Sequence, residues 1–316
     1  MKNKNLKIKS LLIIIVLVLL NSCGKSTEKQ KDSKGNSDAF HLTDTLSGPY
    51  ENPKIKEYKT FISQLDSMDA TSSTKAAEKF KEIFVNQSTL LCDSGFVIFQ
   101  ILYDSLELNL SNAHQNDTTN YEPLLSGNQL TVSQKLKDYR NNLKNNGFKI
   151  SSSEGVSYIE QDRNFIAKIF YSFVSPLMKN YLTEIQKENK EGFAIGGNIT
   201  ISPRQLVDRN IWYEKFCYEN PNFVFAENCK NYKKAYLTYL LCGYENTSLY
   251  AEKDTKQLSD FYINAYNYLN SKYSGSQTAQ MILPYYTALK QKQTSNALAI
   301  LKSYYIKGLI YSSKEK

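Results

Sequence analysis

Leu90-Leu-Cys-Asp-Ser-Gly-Phe-Val-Ile-Phe-Gln-Ile-Leu-Tyr-Asp-Ser-Leu-Glu-Leu-Asn-Leu110 is the stretch on which the fold turns. It is too long for a strand and is apolar on most sides from Phe96 to Leu102, so it predicts a helix at the centre of a core. Before it, Ile55, Tyr58, Phe61, Ile62 and Leu65 recur at three- and four-residue intervals. Ala76, Ala77, Phe80, Ile83 and Phe84 form a second stripe, with Thr71-Ser72-Ser73 as its expected cap. After it, His114 to Thr119 reads as a polar loop with His114 a loop residue. Ser133 to about Asn145 reads as a helix closed by Gly147.

Phe148 to Ile150 and Val156 to Ile159 flank Ser151 to Gly155, which predicts one short β-hairpin. Phe165 to Glu188 returns to helix, and Pro176, lacking an N–H, should kink or split it. Gly192 to Ile201 is a glycine-rich connection. Ser202-Pro203-Arg204-Gln205 then combines an N-cap serine, proline at the first helical position and glutamine three residues on, a sharp helix start. Tyr232, Ala235, Tyr236, Tyr239 and Leu240 form a stripe ended by Gly243. Leu258, Phe261, Tyr262, Ala265, Tyr266, Leu269 and Tyr273 form the next, and Met281 to Leu289 and Ala297 to Tyr311 complete the set.

The fold class that follows is mainly α, a multi-helix body of helical-hairpin or solenoid-like type with one short β-hairpin. Phe216 to Pro221 and Leu269 to Gly275 occupy similar places in successive helix-turn-helix units about fifty residues apart. In this the last third resembles the paired helices of tetratricopeptide-type repeats, which implies stacked helical hairpins. The organisation expected is a leader over 1–22, a polar tether over 23–48 and a helical domain over 49–316, with a subdivision near 146–160.

Composition fits a folded, helix-rich chain: of 316 residues, 41% are hydrophobic, and 7 Pro and 13 Gly stand against 24 Tyr and 15 Phe. Met1 to Ser10 carries Lys2, Lys4, Lys7 and Lys9 without an acid, and Leu11 to Leu20 is an unbroken aliphatic run. These are the charged and apolar parts of a signal peptide, and the run is too short to cross a bilayer as an ordinary span. It ends in Leu20-Asn21-Ser22-Cys23, which resembles the lipobox of bacterial lipoproteins. The resemblance implies that Cys23 is acylated and becomes the mature N-terminus, a membrane anchor of several acyl chains that includes palmitate-type fatty acid. Gly24 to about Gly48 then reads as a flexible leash. Gly24-Lys25-Ser26 lacks the aspartate that would suggest inner-membrane retention, so the cell envelope at the outer membrane is the expected location.

The formal charge of +8 falls to about +4 once the four leader lysines leave. The chain has no run of five basic residues, and its only arginines are Arg140, Arg163, Arg204 and Arg209, which argues against nucleic acid as a partner. Beyond Cys23 there are Cys92, Cys217, Cys229 and Cys242. An exported chain could pair them in two disulfides, Cys217–Cys229 first and Cys92–Cys242 by elimination, or hold all four as buried thiols. With no CxxC pair and only His41 and His114, no metal or other cofactor is expected, and no nucleophile elbow or P-loop is present.

Two functional readings remain. Sixteen of the 24 tyrosines lie from Tyr213 onward, most on helical stripes and therefore core, with Tyr218, Tyr244 and Tyr250 near helix ends as the candidates for an exposed binding surface. The first reading is a non-catalytic body that binds an envelope protein, peptide or glycan. The second is a carboxylate-dependent envelope hydrolase acting on glycan, using Glu154 and a second acid, with Glu160 and Asp162 beside Arg163 following it in the chain.

Overall fold

The structure is a computed structural model that describes residues 52–125, 132–153, 155–251 and 257–311. Cys23, His41 and the tether lie outside the described residues. The chain divides at Gly196 and Gly197 into two compact units, so the division expected near 146–160 falls later, and the hairpin belongs wholly to the first unit. Among the described residues there are twelve helices and two small two-stranded antiparallel sheets.

The first unit carries α1 (Pro53–Ile62), α2 (Thr71–Phe84), α3 (Thr89–Asn116), α4 (Glu122–Leu125) and α5 (Gln134–Asn145). The strands β1 (Phe148–Ser153) and β2 (Val156–Gln161) follow, then α6 (Arg163–Phe170) and α7 (Pro176–Glu191). The long apolar stretch is the central helix: α1, α2 and β2 all pack on α3. Phe96, Val97, Phe99 and Tyr103 of α3 are fully buried. The helix is long and apolar enough to cross a membrane by composition, yet 56% of that window is buried inside the protein. Phe80 stands at the middle of the core, its ring edge-on to Phe170 at 4.8 Å and to Tyr58 at 5.9 Å. Gly95 is there because a Cβ would come 2.5 Å from the Phe84 ring, so the ring lies directly on the helix backbone.

Several local signals act as the sequence predicts. Gly147 ends α5 at φ 83°, and Ser133 caps that helix through the Leu136 N–H. Pro176 splits the helical stretch, standing at the first position of α7 behind the cap Ser175. The cap of α2 differs from expectation. Asp69 accepts from the Thr71 N–H at 2.9 Å, while Ser72 and Ser73 lie inside the helix and are buried. The Ser73 hydroxyl donates to the Asn146 carbonyl at 2.5 Å, tying α2 to the end of α5.

The second unit carries α8 (Pro203–Glu219), α9 (Ala226–Cys242), α10 (Asp260–Tyr273), α11 (Gln277–Lys290) and α12 (Thr294–Ile306). The pairs β3 (Ala194–Ile195) and β4 (Asn198–Ile199) make the connection that leads into it. Ser202 and Gln205 form the expected capping box. α8 packs against α9, α10 and α11, and α11 against α12. A tertiary cap fixes one of these contacts. The Glu214 carboxylate of α8 accepts from the Gln277 N–H at 2.9 Å and the Thr278 N–H at 2.8 Å, placing an anion at the N-terminus of α11.

Candidate functional site

Along α3, Asp104, Glu107, Ser111 and His114 follow one another at intervals of three, four and three residues, so they share one face. That face meets β2. The Ser111 hydroxyl accepts from the Ile159 N–H at 3.3 Å, and His114 Nε2 lies 2.9 Å from the Ser157 hydroxyl. His114 is therefore no loop residue: α3 runs on to Asn116, and His114 is 97% buried in its last turn. Sequence reasoning read polar residues beyond Leu110 as the end of the helix. The signal that identifies them is their helical spacing, a polar stripe continuing where the apolar one stops.

His114 forms one wall of a cavity of about 280 Å³ in the first unit, bounded also by Met68, Asp69, Asp117, Tyr121, Tyr139 and Asn142. Tyr121 stacks on the imidazole with ring centroids 3.9 Å apart, and Tyr139 lies 5.1 Å from Tyr121. Tyr121 also packs with Val132 and Leu136 in a small apolar cluster that steadies the rings from behind. His114 Nδ1 is 2.9 Å from the Tyr139 hydroxyl, so both ring nitrogens are engaged. Burial holds the imidazole below its ordinary pKa, and the ring is neutral at pH 7. At the mouth, Asp117 accepts from the Tyr121 hydroxyl at 2.5 Å and the Thr119 N–H at 3.1 Å. The Tyr121 bond chiefly holds its carboxyl below the usual range. Hydrogen bonds from Thr71 do the same for Asp69. The cavity thus offers aromatic faces and two ionised carboxylate acceptors.

Two to three helical turns further back along α3, Asp104 and Glu107 bring two carboxyls beneath the hairpin. Asp104 accepts from Gln100 Nε2 at 2.6 Å and Gln161 Nε2 at 2.7 Å. Glu107 accepts from the Gln161 backbone N–H, and burial pushes its carboxyl up to about 7, with the Arg163 guanidinium opposing the shift. The acids singled out in the sequence are placed otherwise. Glu154 lies outside the described residues. Glu160 pairs with Lys149 at 2.8 Å, and Asp162 caps α6 through the Asn164 N–H at 3.0 Å.

Among the tyrosine candidates, Tyr218 is 80% exposed, as expected. Tyr250 is half-buried, bridging to Leu258. Tyr244, expected at the surface, is buried against the Tyr239 ring, because the chain after Gly243 turns back through the Tyr244–Thr247 bridge. All three belong to the second unit, whereas the His114 cavity belongs to the first.

Cys92, Cys217, Cys229 and Cys242 are all thiols, with no disulfide among the described residues. Cys92 is buried and directed at the Phe84 carbonyl, and it belongs to a different unit from Cys242. Cys217 and Cys229 are hydrogen-bonded to each other. No protein-family model matches the chain, and no curated protein or solved structure matches it either.

Proposed function

We propose that this chain is a lipid-anchored lipoprotein of the bacterial cell envelope, outer-membrane located, whose helical body binds a glycan end without chemistry of its own. The Leu20-Asn21-Ser22-Cys23 sequence supports the anchor, and the polar tether supports a body held a few tens of ångströms from the bilayer. The observation that carries the binding reading is the His114–Tyr121–Tyr139 cluster facing Asp69, Asp117 and Asn142 across one cavity. Ring faces suit the C–H faces of a sugar, and ionised carboxylates and an amide oxygen accept from its hydroxyls. At about 280 Å³ the cavity suits a terminal monosaccharide and not a long polymer.

Titration of N-acetylglucosamine oligomers into the mature chain, followed by tyrosine difference absorbance, tests the reading. Saturable binding that drops at least tenfold in Tyr139→Ala and in Asp117→Asn is expected. Equal response in wild type and both variants overturns it. Fatty-acid labelling of wild type and Cys23→Ser tests the anchor, with label expected only in wild type.

A second reading, a carboxylate-dependent envelope hydrolase acting on glycan, is favoured by Glu107. Its carboxyl at about 7 beside Asp104 is a proton donor matched to neutral pH. Release of reducing ends from the same oligomers, lost in Glu107→Gln, is the outcome that would favour it over binding.

A further inference from the structure

The second unit holds two thiols at the end of the α8–α9 pair where the chain turns at Pro221. Cys217 lies in the last turn of α8 and Cys229 in the first turn of α9. Cys229 is fully buried and its S–H donates to the Cys217 sulfur, while Cys217 is half-buried. α8 and α9 pack against each other on either side of that turn, so the two thiols sit where a disulfide, with its sulfurs at about 2.05 Å, would join consecutive helices.

We propose that Cys217 and Cys229 form a thiol–disulfide exchange site that takes a disulfide-bearing oxidant, with Cys217 as the attacking thiol and Cys229 as the resolving one. Exposure divides the roles, since only Cys217 can be reached from solvent. Electrostatics agrees with that division. The hydrogen bond from Cys229, and then the Lys233 and Lys230 ammoniums, hold the Cys217 thiol below its ordinary pKa against partial burial. The same hydrogen bond and burial push Cys229 up, so it gives up its proton second. Cys92 shows the contrast: it is buried, burial raises it, and it faces a backbone carbonyl instead of a second thiol.

The exchange balances in two steps. The Cys217 thiolate attacks one sulfur of the oxidant disulfide, forming a mixed disulfide and releasing the other sulfur as a thiolate. Cys229 then loses its proton and attacks the Cys217 sulfur, forming the Cys217–Cys229 bond and releasing the second thiolate. Two electrons pass from the cysteine pair to the oxidant, and the two cysteine protons end on its two thiols. The product is a staple across the turn that leads from one helix into the next.

The test treats the full mature chain, reduced, with glutathione disulfide at pH 7.5 and follows it by intact mass and non-reducing peptide mapping. The expected product in wild type is a 217–229 cross-linked peptide without a lasting adduct. Cys229→Ala should trap one glutathionyl group on Cys217, whereas Cys217→Ala should leave Cys229 as a thiol over the same time. The oxidised form should melt on the order of 5 °C higher than the reduced one. A trapped adduct on Cys229 in the Cys217→Ala variant, or no cross-link in wild type, overturns the proposal. Circular dichroism of each variant keeps the outcomes readable, and Cys217→Ser serves if the alanine variant is not folded.

Discussion

The two units solve one problem, the burial of aromatic rings between helices, in different ways. In the first unit the centre is phenylalanine: Phe80, Phe84, Phe96, Phe99 and Phe170 pack ring against ring with centroids 4.5–5.1 Å apart in the tightest contacts. In the second the fully buried rings are Tyr213, Tyr262, Tyr266 and Tyr285. A buried phenol must place its hydroxyl, and here the hydroxyls do structural work. Tyr266 donates at 2.6 Å to the Leu240 carbonyl, one of the last four of α9 that no intrahelical N–H can reach. Tyr268 and Tyr273 donate to Asp208 of α8 at 2.9 and 2.7 Å. The difference is one of proportion: the first core is mostly phenylalanine, with Tyr58 and Tyr103 donating to the Ala76 and Gly147 carbonyls at its edge, whereas the second depends throughout on where each ring's polar end lands.

The largest effect expected from breaking this contrast is Phe80→Ala, which empties the centre of the phenylalanine cluster. It should cost about 3–5 kcal/mol, read as a lowered urea midpoint with unchanged slope. A midpoint within a few tenths of a kcal/mol of wild type would show that rings elsewhere carry that core.

Next comes the pH dependence of the first unit. Glu107 has a folded pKa of about 7, above its unfolded value near 4.5, so the folded state holds the extra proton between those limits. The stability it contributes is complete below about pH 4.5 and is lost as pH rises through 7, roughly 3 kcal/mol in all. Asp104 is raised by burial and acts in the same direction, whereas the lowered His114 acts in the opposite one. Urea midpoints between pH 4.5 and 8 should therefore fall less steeply in Glu107→Gln than in wild type. Parallel profiles would place the carboxyl in a wetter setting.

The smallest effect sharpens the comparison from the other side. Tyr266→Phe keeps the ring and removes one hydroxyl, leaving the Leu240 carbonyl buried without its donor. The expected cost is about 1–2 kcal/mol, followed through the fluorescence of the single tryptophan, Trp212, in the same unit. A neutral substitution would show that ring packing alone carries the second core at this position.

How much of this was legible in the sequence depended on how local the physics was. The Ser202 capping box, the Gly147 terminator and the Pro176 break involve groups within four residues of one another, and each stands where the sequence put it. The tyrosine stripes read as core were legible for the same reason: Tyr262 and Tyr266 recur at helical spacing and are buried. His114 and Tyr244 were not legible, because their surroundings come from distant parts of the chain. His114 beside Gln115 and Asn116 read as a loop residue, whereas it ends a helix with Ser157 and Tyr139 closing on its two nitrogens.

By itself, the sequence determined a mainly helical body with a short β-hairpin turning between Phe148 and Gln161, since periodicity and caps act within a turn or two of helix. Only the tertiary structure decided that the chain divides at Gly196 and Gly197, that α3 carries a polar stripe under β2, and that Cys217 meets Cys229 while Cys92 meets a carbonyl. The physical reason is that a polar side chain can be satisfied by water or by a partner dozens of residues away, and composition looks the same in either case.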